Sequence, residues 1–108
     1  MAYDEKLAER IRAELEGLPF AEKKMFGGVA FLVHGNMACG IGKDNLMVRV
    51  DRAEHAKLLQ KPHTKPSEMA GRPMKGWLLV EPEGVKTKSQ LEGWVKKGVD
   101  FALTLPPK

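Results

Sequence analysis

Cysteine is nearly absent from this chain: Cys39 is the only one in 108 residues. A secreted domain of this size would more often carry paired cysteines, so a disulfide framework is excluded. Long apolar runs are missing too, and none approaches the roughly 18 residues that a membrane span needs. The opening Met1-Ala2-Tyr3-Asp4-Glu5 is acidic where a signal peptide would be basic. The expectation is a cytoplasmic protein with no membrane partner. Histidine is scarce: His34, His55 and His63 fall in a turn, a helix and a loop, none at ligand spacing from another donor. No metal and no cofactor is therefore expected. Ser67 and Ser89 are the only serines, and neither sits in a nucleophile elbow. No catalytic residue can be named.

What the chain does have is an ordinary globular composition, 43% hydrophobic and 30% charged. Its length suits one domain with one core. The net charge is +4 and the excess is local. Between Lys57 and Lys75 five basic residues face Glu68 alone, and the rest of the chain balances.

The patterning places helices at both ends. Leu7, Ile11 and Leu15 recur at helical spacing behind Asp4, a suitable N-cap, and Gly17 is the expected stop. Residues 25–50 read as a meander of three strands, Met25–Val33, Met37–Ile41 and Leu46–Val50, with His34-Gly35 as a tight turn. Asp51–Gln60 reads as a short helix with Asp51 and Glu54 as a capping box and with Ala56 and Leu59 inward. Residues 61–76 are rich in proline and glycine and read mostly as loop, with a short edge strand near Met69. Trp77–Val80 is a strand. The last helix spans 88–104, with Leu91, Trp94, Val95, Val99, Ala102 and Leu103 as its buried stripe. Thr87-x-x-Gln90 and Ser89-x-x-Glu92 both fit a capping box at its start. Short turns force antiparallel pairing, so the class is α+β, in two layers with an antiparallel sheet. Phe26, Val29, Phe31, Val48, Leu79, Trp94 and Val95 are the expected core.

Three features invite functional readings. Cys39 lies in an apolar strand with no cation nearby, and reads as a buried, unreactive thiol. Gly40-Ile41-Gly42 lacks the third glycine of a dinucleotide fingerprint, and Gly27-Gly28 reads as a bulge or a close backbone approach. The basic segment is the remaining candidate. Lys61, His63, Lys65, Arg72 and Lys75 could meet an anionic partner, phosphate backbone or an acidic protein surface. Direct nucleic-acid binding is not favoured, because no aromatic precedes Trp77 in that segment.

Lys24-Met25-Phe26-Gly27-Gly28-Val29-Ala30-Phe31-Leu32, Leu46-Met47-Val48-Arg49-Val50 and Gly71-Arg72-Pro73-Met74-Lys75-Gly76-Trp77, with Ala2-Tyr3-Asp4, Gly35-Asn36-Met37, Trp94-Val95 and Leu105-Pro106-Pro107-Lys108, resemble the N-terminal domain of the TfoX/Sxy family. The resemblance spans nearly the whole chain. It implies an α-β3-α-β2-α order and a fold like that of type III secretion chaperones. The better-known members are competence regulators that act with the cyclic-AMP receptor protein and carry a second, C-terminal domain. The chain reads as a stand-alone N-terminal domain. The resemblance points to a non-enzymatic regulatory role, to protein partners and to a possible homodimer. A nucleic-acid module and a ligand-binding or enzymatic cleft are the alternatives.

Overall fold

A computed structural model describes residues 4–25, 28–42, 44–69 and 72–107, with side chains outside 25, 68–69 and 72–75. Helix α1 (Glu5–Glu14) starts at Asp4, whose carboxylate accepts from the backbone N–H of Lys6 and Leu7. It ends before Gly17, which takes φ +92°. Strands β1 (Phe20–Met25), β2 (Gly28–Val33), β3 (Asn36–Gly42) and β4 (Asn45–Arg49) follow. Then come α2 (Arg52–Leu58), β5 (Thr64–Met69), β6 (Arg72–Val80), a 3-10 turn at Pro82–Val85, and α3 (Lys88–Leu103). The sheet is antiparallel throughout, in the order β1-β2-β3-β4-β6-β5.

The class is α+β, but the order differs from the expected three strands, helix, two strands. Four strands precede α2. The extra one is β1, with the sequence Phe-Ala-Glu-Lys-Lys-Met. Its central residues are polar and exposed, so it carries no alternating apolar signal, and the apolar run from Met25 to Val33 is split between β1 and β2. Strand β6 also begins five residues before Trp77, pairing with a full β5 where mostly loop was expected. Pro66 is accommodated because β5 is an edge strand. The His34-Gly35 turn holds: both residues take positive φ, 53° and 80°, as a two-residue hairpin loop requires.

Directly paired residues share a face of the sheet. One face carries the rows Phe31–Cys39–Val48–Leu78 and Val29–Ile41–Leu46–Val80, none more than 3% exposed. All three helices pack on this side. Gly98 of α3 lies on β3 and Val48. Thr64 points its hydroxyl at the last carbonyls of α2, and Arg12 of α1 grips Glu22 of β1. Leu7, Ala8, Ile11, Leu58, Leu91, Trp94, Val95, Val99 and Ala102 close the core from above. Cys39 is fully buried within it. Two helical positions correct the expected phase. Leu58, not Ala56, is the buried residue of α2, and Leu103 of α3 is 45% exposed. The Thr87–Gln90 capping box forms in both directions. At α2 the Asp51 carboxylate accepts from Ala53.

The other face is lined by the row Ala30–Gly40–Met47–Leu79 and by the Leu32–Met37 pair. Ala30 and Gly40 are small and buried, whereas Leu32, Met37, Met47 and Leu79 are half-exposed. Leu79 therefore belongs to this second face and not to the core assigned to it from its strand. Phe26, also expected in the core, lies outside the described residues. Among the described residues no helix lies across this row.

Candidate functional site

Of the five basic candidates, the structure describes the side chains of three, and Lys65 is apart from Lys61 and His63. Lys61 and His63 stand in the connection between α2 and β5, both exposed. Lys65 is on β5, paired with Leu79 and so turned to the open face. Its ammonium is 3.1 Å from Glu81, an exposed ion pair that occupies its charge. Arg72 and Lys75 fall on β6, and their side chains lie outside the described part.

Lys61 and His63 do have company, from an element the charge pattern did not indicate. With Pro62 they border a shallow groove of about 370 Å³, whose far wall is the first half of α3. Ser89, Gln90, Gly93, Trp94 and Lys97 form that wall, and Gly84 also lines the groove. Lys97 is three residues past Trp94 and four past Gly93, so all three share one stripe of the helix. A signal for this existed. Gly93 costs α3 about 1 kcal/mol relative to alanine, and a side chain there would meet nothing within 4 Å. A glycine kept in open space on a helix marks a surface where bulk is absent.

His63 is held in an unusual shape. Its φ is +64°, in the left-handed region that side-chain-bearing residues seldom occupy. The reason lies in its neighbours. The His63 carbonyl accepts from the Glu81 backbone N–H at 2.8 Å, which pins the loop to the end of β6. Gly84 is packed so closely that a Cβ there would stand 2.6 Å from Val80 Cγ1 and 3.1 Å from His63 Cβ. The ring is thereby presented at the groove.

Other polar centres have structural partners. The His55 ring is 3.2 Å from the Trp77 carbonyl. The Arg49 guanidinium is 5.4 Å from the ring centroids of both Trp77 and Phe101, tying β4 to the last turns of α3. Burial pushes the Cys39 thiol up to about 12, which keeps it protonated and unreactive. Among the described residues no three histidine, cysteine or carboxylate side chains gather as a metal would need. No described helix is long and apolar enough to cross a membrane.

Comparison with known proteins adds the family. No curated protein matches the chain. The family model of the TfoX N-terminal domain matches residues 14–102, which include every strand, α2 and nearly all of α3. By that match, and with the α+β architecture described above, this chain belongs to the TfoX N-terminal domain family.

Proposed function

We propose that this domain is a non-enzymatic regulatory module that docks a protein partner on the open face of its sheet. The observation that carries the reading is the row Ala30–Gly40–Met47–Leu79 with its neighbours Leu32 and Met37. Small residues form a trough down the middle, and flexible apolar side chains flank it half-exposed. Methionine is unbranched and polarisable and adapts to irregular partner surfaces. The sheet edges are less inviting. β1 exposes Glu22, Lys23 and Lys24, and β5 carries Lys65 and Pro66, devices that discourage strand addition. A face contact, with a second copy or with another protein, fits these surfaces better than an edge contact. A secretion-chaperone-like fold, as the family implies, would be in keeping with such docking.

Direct binding to nucleic acid is less well supported. Lys61 and His63 lie on the helical side, Lys65 on the other, and Glu81 neutralises Lys65. No single basic face follows.

The test places a photoreactive amino acid at Met47, with Glu92 on the exposed side of α3 as the control position. We expect a defined protein adduct, or a self-adduct, from position 47 in the native host. Leu79→Glu should abolish it while leaving the fold intact. Equal labelling from both positions overturns the reading. So does duplex DNA binding tighter than about micromolar at physiological salt, which exceeds ordinary non-specific affinity.

A further inference from the structure

We infer that the groove between the Lys61–His63 loop and α3 is a binding site for a small phosphomonoester. Three observations converge on it. The first is charge. Lys61, His63 and Lys97 reach it from two separate segments, and no carboxylate lines it among the described residues. Among the described residues neither lysine is engaged in an ion pair. Lysine is an effective point charge for phosphate, and a volume of about 370 Å³ suits a small ligand.

The second is an unused donor. Trp94 is only 8% exposed, yet among the described residues its indole N–H has no acceptor. It is not sealed either, because among the described residues no buried side-chain nitrogen or oxygen is left without a partner. The side chain borders the groove. A largely buried side chain that lines a hollow and keeps an unused donor is suited to hold an acceptor there. The Ser89 hydroxyl, in the first turn of α3, adds a second donor without a partner among the described residues. The turn it occupies is the positive end of a 16-residue helix.

The third is His63, whose left-handed backbone is held by Glu81 and Gly84. A glycine would occupy this conformation without strain, so the ring's presence at the groove is not explained by the fold. The wall thus offers donors of four kinds and, among the described residues, no carboxylate. A dianion with three acceptor oxygens matches it, and an apolar or cationic ligand does not. This site is in the helical layer and is independent of the sheet face proposed for partner docking.

The two tryptophan indole N–H signals in a nitrogen–proton NMR spectrum provide the test, assigned with Trp77→Phe. Phenyl phosphate is the probe, with inorganic phosphate and a short single-stranded oligonucleotide as parallel arms. Phenyl phosphate should shift the Trp94 signal saturably and leave Trp77 in place. Comparable saturation by inorganic phosphate shows that the phosphate group alone is read, and supports the site. Lys61→Gln with Lys97→Gln should weaken binding by about tenfold or more, as loss of two charge-assisted contacts requires. His63→Gly should weaken it while thermal stability is kept or raised, which separates lost binding from lost fold. An unmoved Trp94 signal overturns the inference. So does an equal shift from sodium chloride at matched ionic strength, or binding unchanged in the lysine double variant. Tighter binding of the oligonucleotide than of phenyl phosphate overturns it in favour of a nucleic-acid surface.

Discussion

Gly98 of α3 lies directly against the carbonyl oxygen of Ala38 in β3, so close that any Cβ at position 98 would overlap it. The helix settles onto the sheet at this point, with Val48 Cγ1 3.4 Å from the same position. Ala38 is the extra residue where the β2–β3 register slips, between the pairs Phe31–Cys39 and Leu32–Met37. Asn36, 2% exposed, fastens the same end by donating to the Pro106 carbonyl at 2.9 Å.

Gly98→Ala therefore reverses the usual sign of a glycine-to-alanine change in a helix. Propensity alone would favour alanine by about 1 kcal/mol. Overlap with a backbone carbonyl cannot be relieved by a rotamer, and we expect a net loss of about 1–3 kcal/mol. Gly93→Ala, five residues earlier in open space, should gain up to about 1 kcal/mol. Urea denaturation of both variants checks the pair. A gain at position 98 would mean that α3 rides higher on the sheet.

Leu78 and Leu79 are neighbours with opposite roles. Leu78 is fully buried under the helices, whereas Leu79 is half-exposed on the open face. Leu78→Ala should cost about 2–5 kcal/mol, the range for a buried leucine. Leu79→Ala should cost clearly less. Equal losses would place a covering element over the second face.

The Arg12–Glu22 contact should appear in the acid limb of stability. The guanidinium donates to both carboxylate oxygens, at 2.7 and 2.8 Å. That hydrogen bonding holds the Glu22 carboxyl below its ordinary value of 4.5, against a smaller upward push from burial. A depressed carboxylate stabilises the fold above its unfolded pKa, and the contribution is lost as pH falls through the folded one. Both side chains are about one third exposed, so solvent screens the pair and the effect should stay below about 1 kcal/mol. Stability of the parent and of Glu22→Gln, measured from neutral pH downward, should converge in acid.

Cys39 should resist thiol reagents in the native state at mildly alkaline pH. Burial raises its pKa from 9.0 to about 12, so little thiolate is available. Labelling should proceed only through unfolding and should accelerate with denaturant. The linkage also has a sign. The unfolded chain loses this proton first, so stability should decline as pH rises from about 9 toward 12. Rapid labelling without denaturant would show that the β3 core opens locally.

Much of this was legible from local chemistry. The Asp4 and Thr87 caps, the Gly17 stop and the His34-Gly35 turn are properties of a few adjacent residues, and the structure keeps them. The stripe from Leu91 to Ala102 follows from helical periodicity, although Leu103 falls just outside it. The charge excess from Lys57 to Lys75 could be seen, but not that Lys61 and His63 border a groove beside α3 while Lys65 turns to the open face. Lys97 and Trp94 joined Lys61 and His63 only through the packing of α3 beside the loop.

The amino-acid sequence by itself determined where helices begin and end, which strands alternate and which thiol is buried, because those depend on side chains within a few residues of one another. Tertiary structure decided the rest. Strand β1 is polar, and its extended form comes from backbone pairing with β2, a partner its own side chains do not reveal. Strand β5 is likewise made by β6, despite its proline. Which face Leu79 occupies was set by pairing with Met47, since a shift of one residue in register exchanges the two faces of a strand. Gly98 was an unremarkable helix residue until β3 came against it. Backbone hydrogen bonds between strands carry no record of side-chain identity, so the sequence cannot announce them, and only the folded sheet shows which surfaces they leave open.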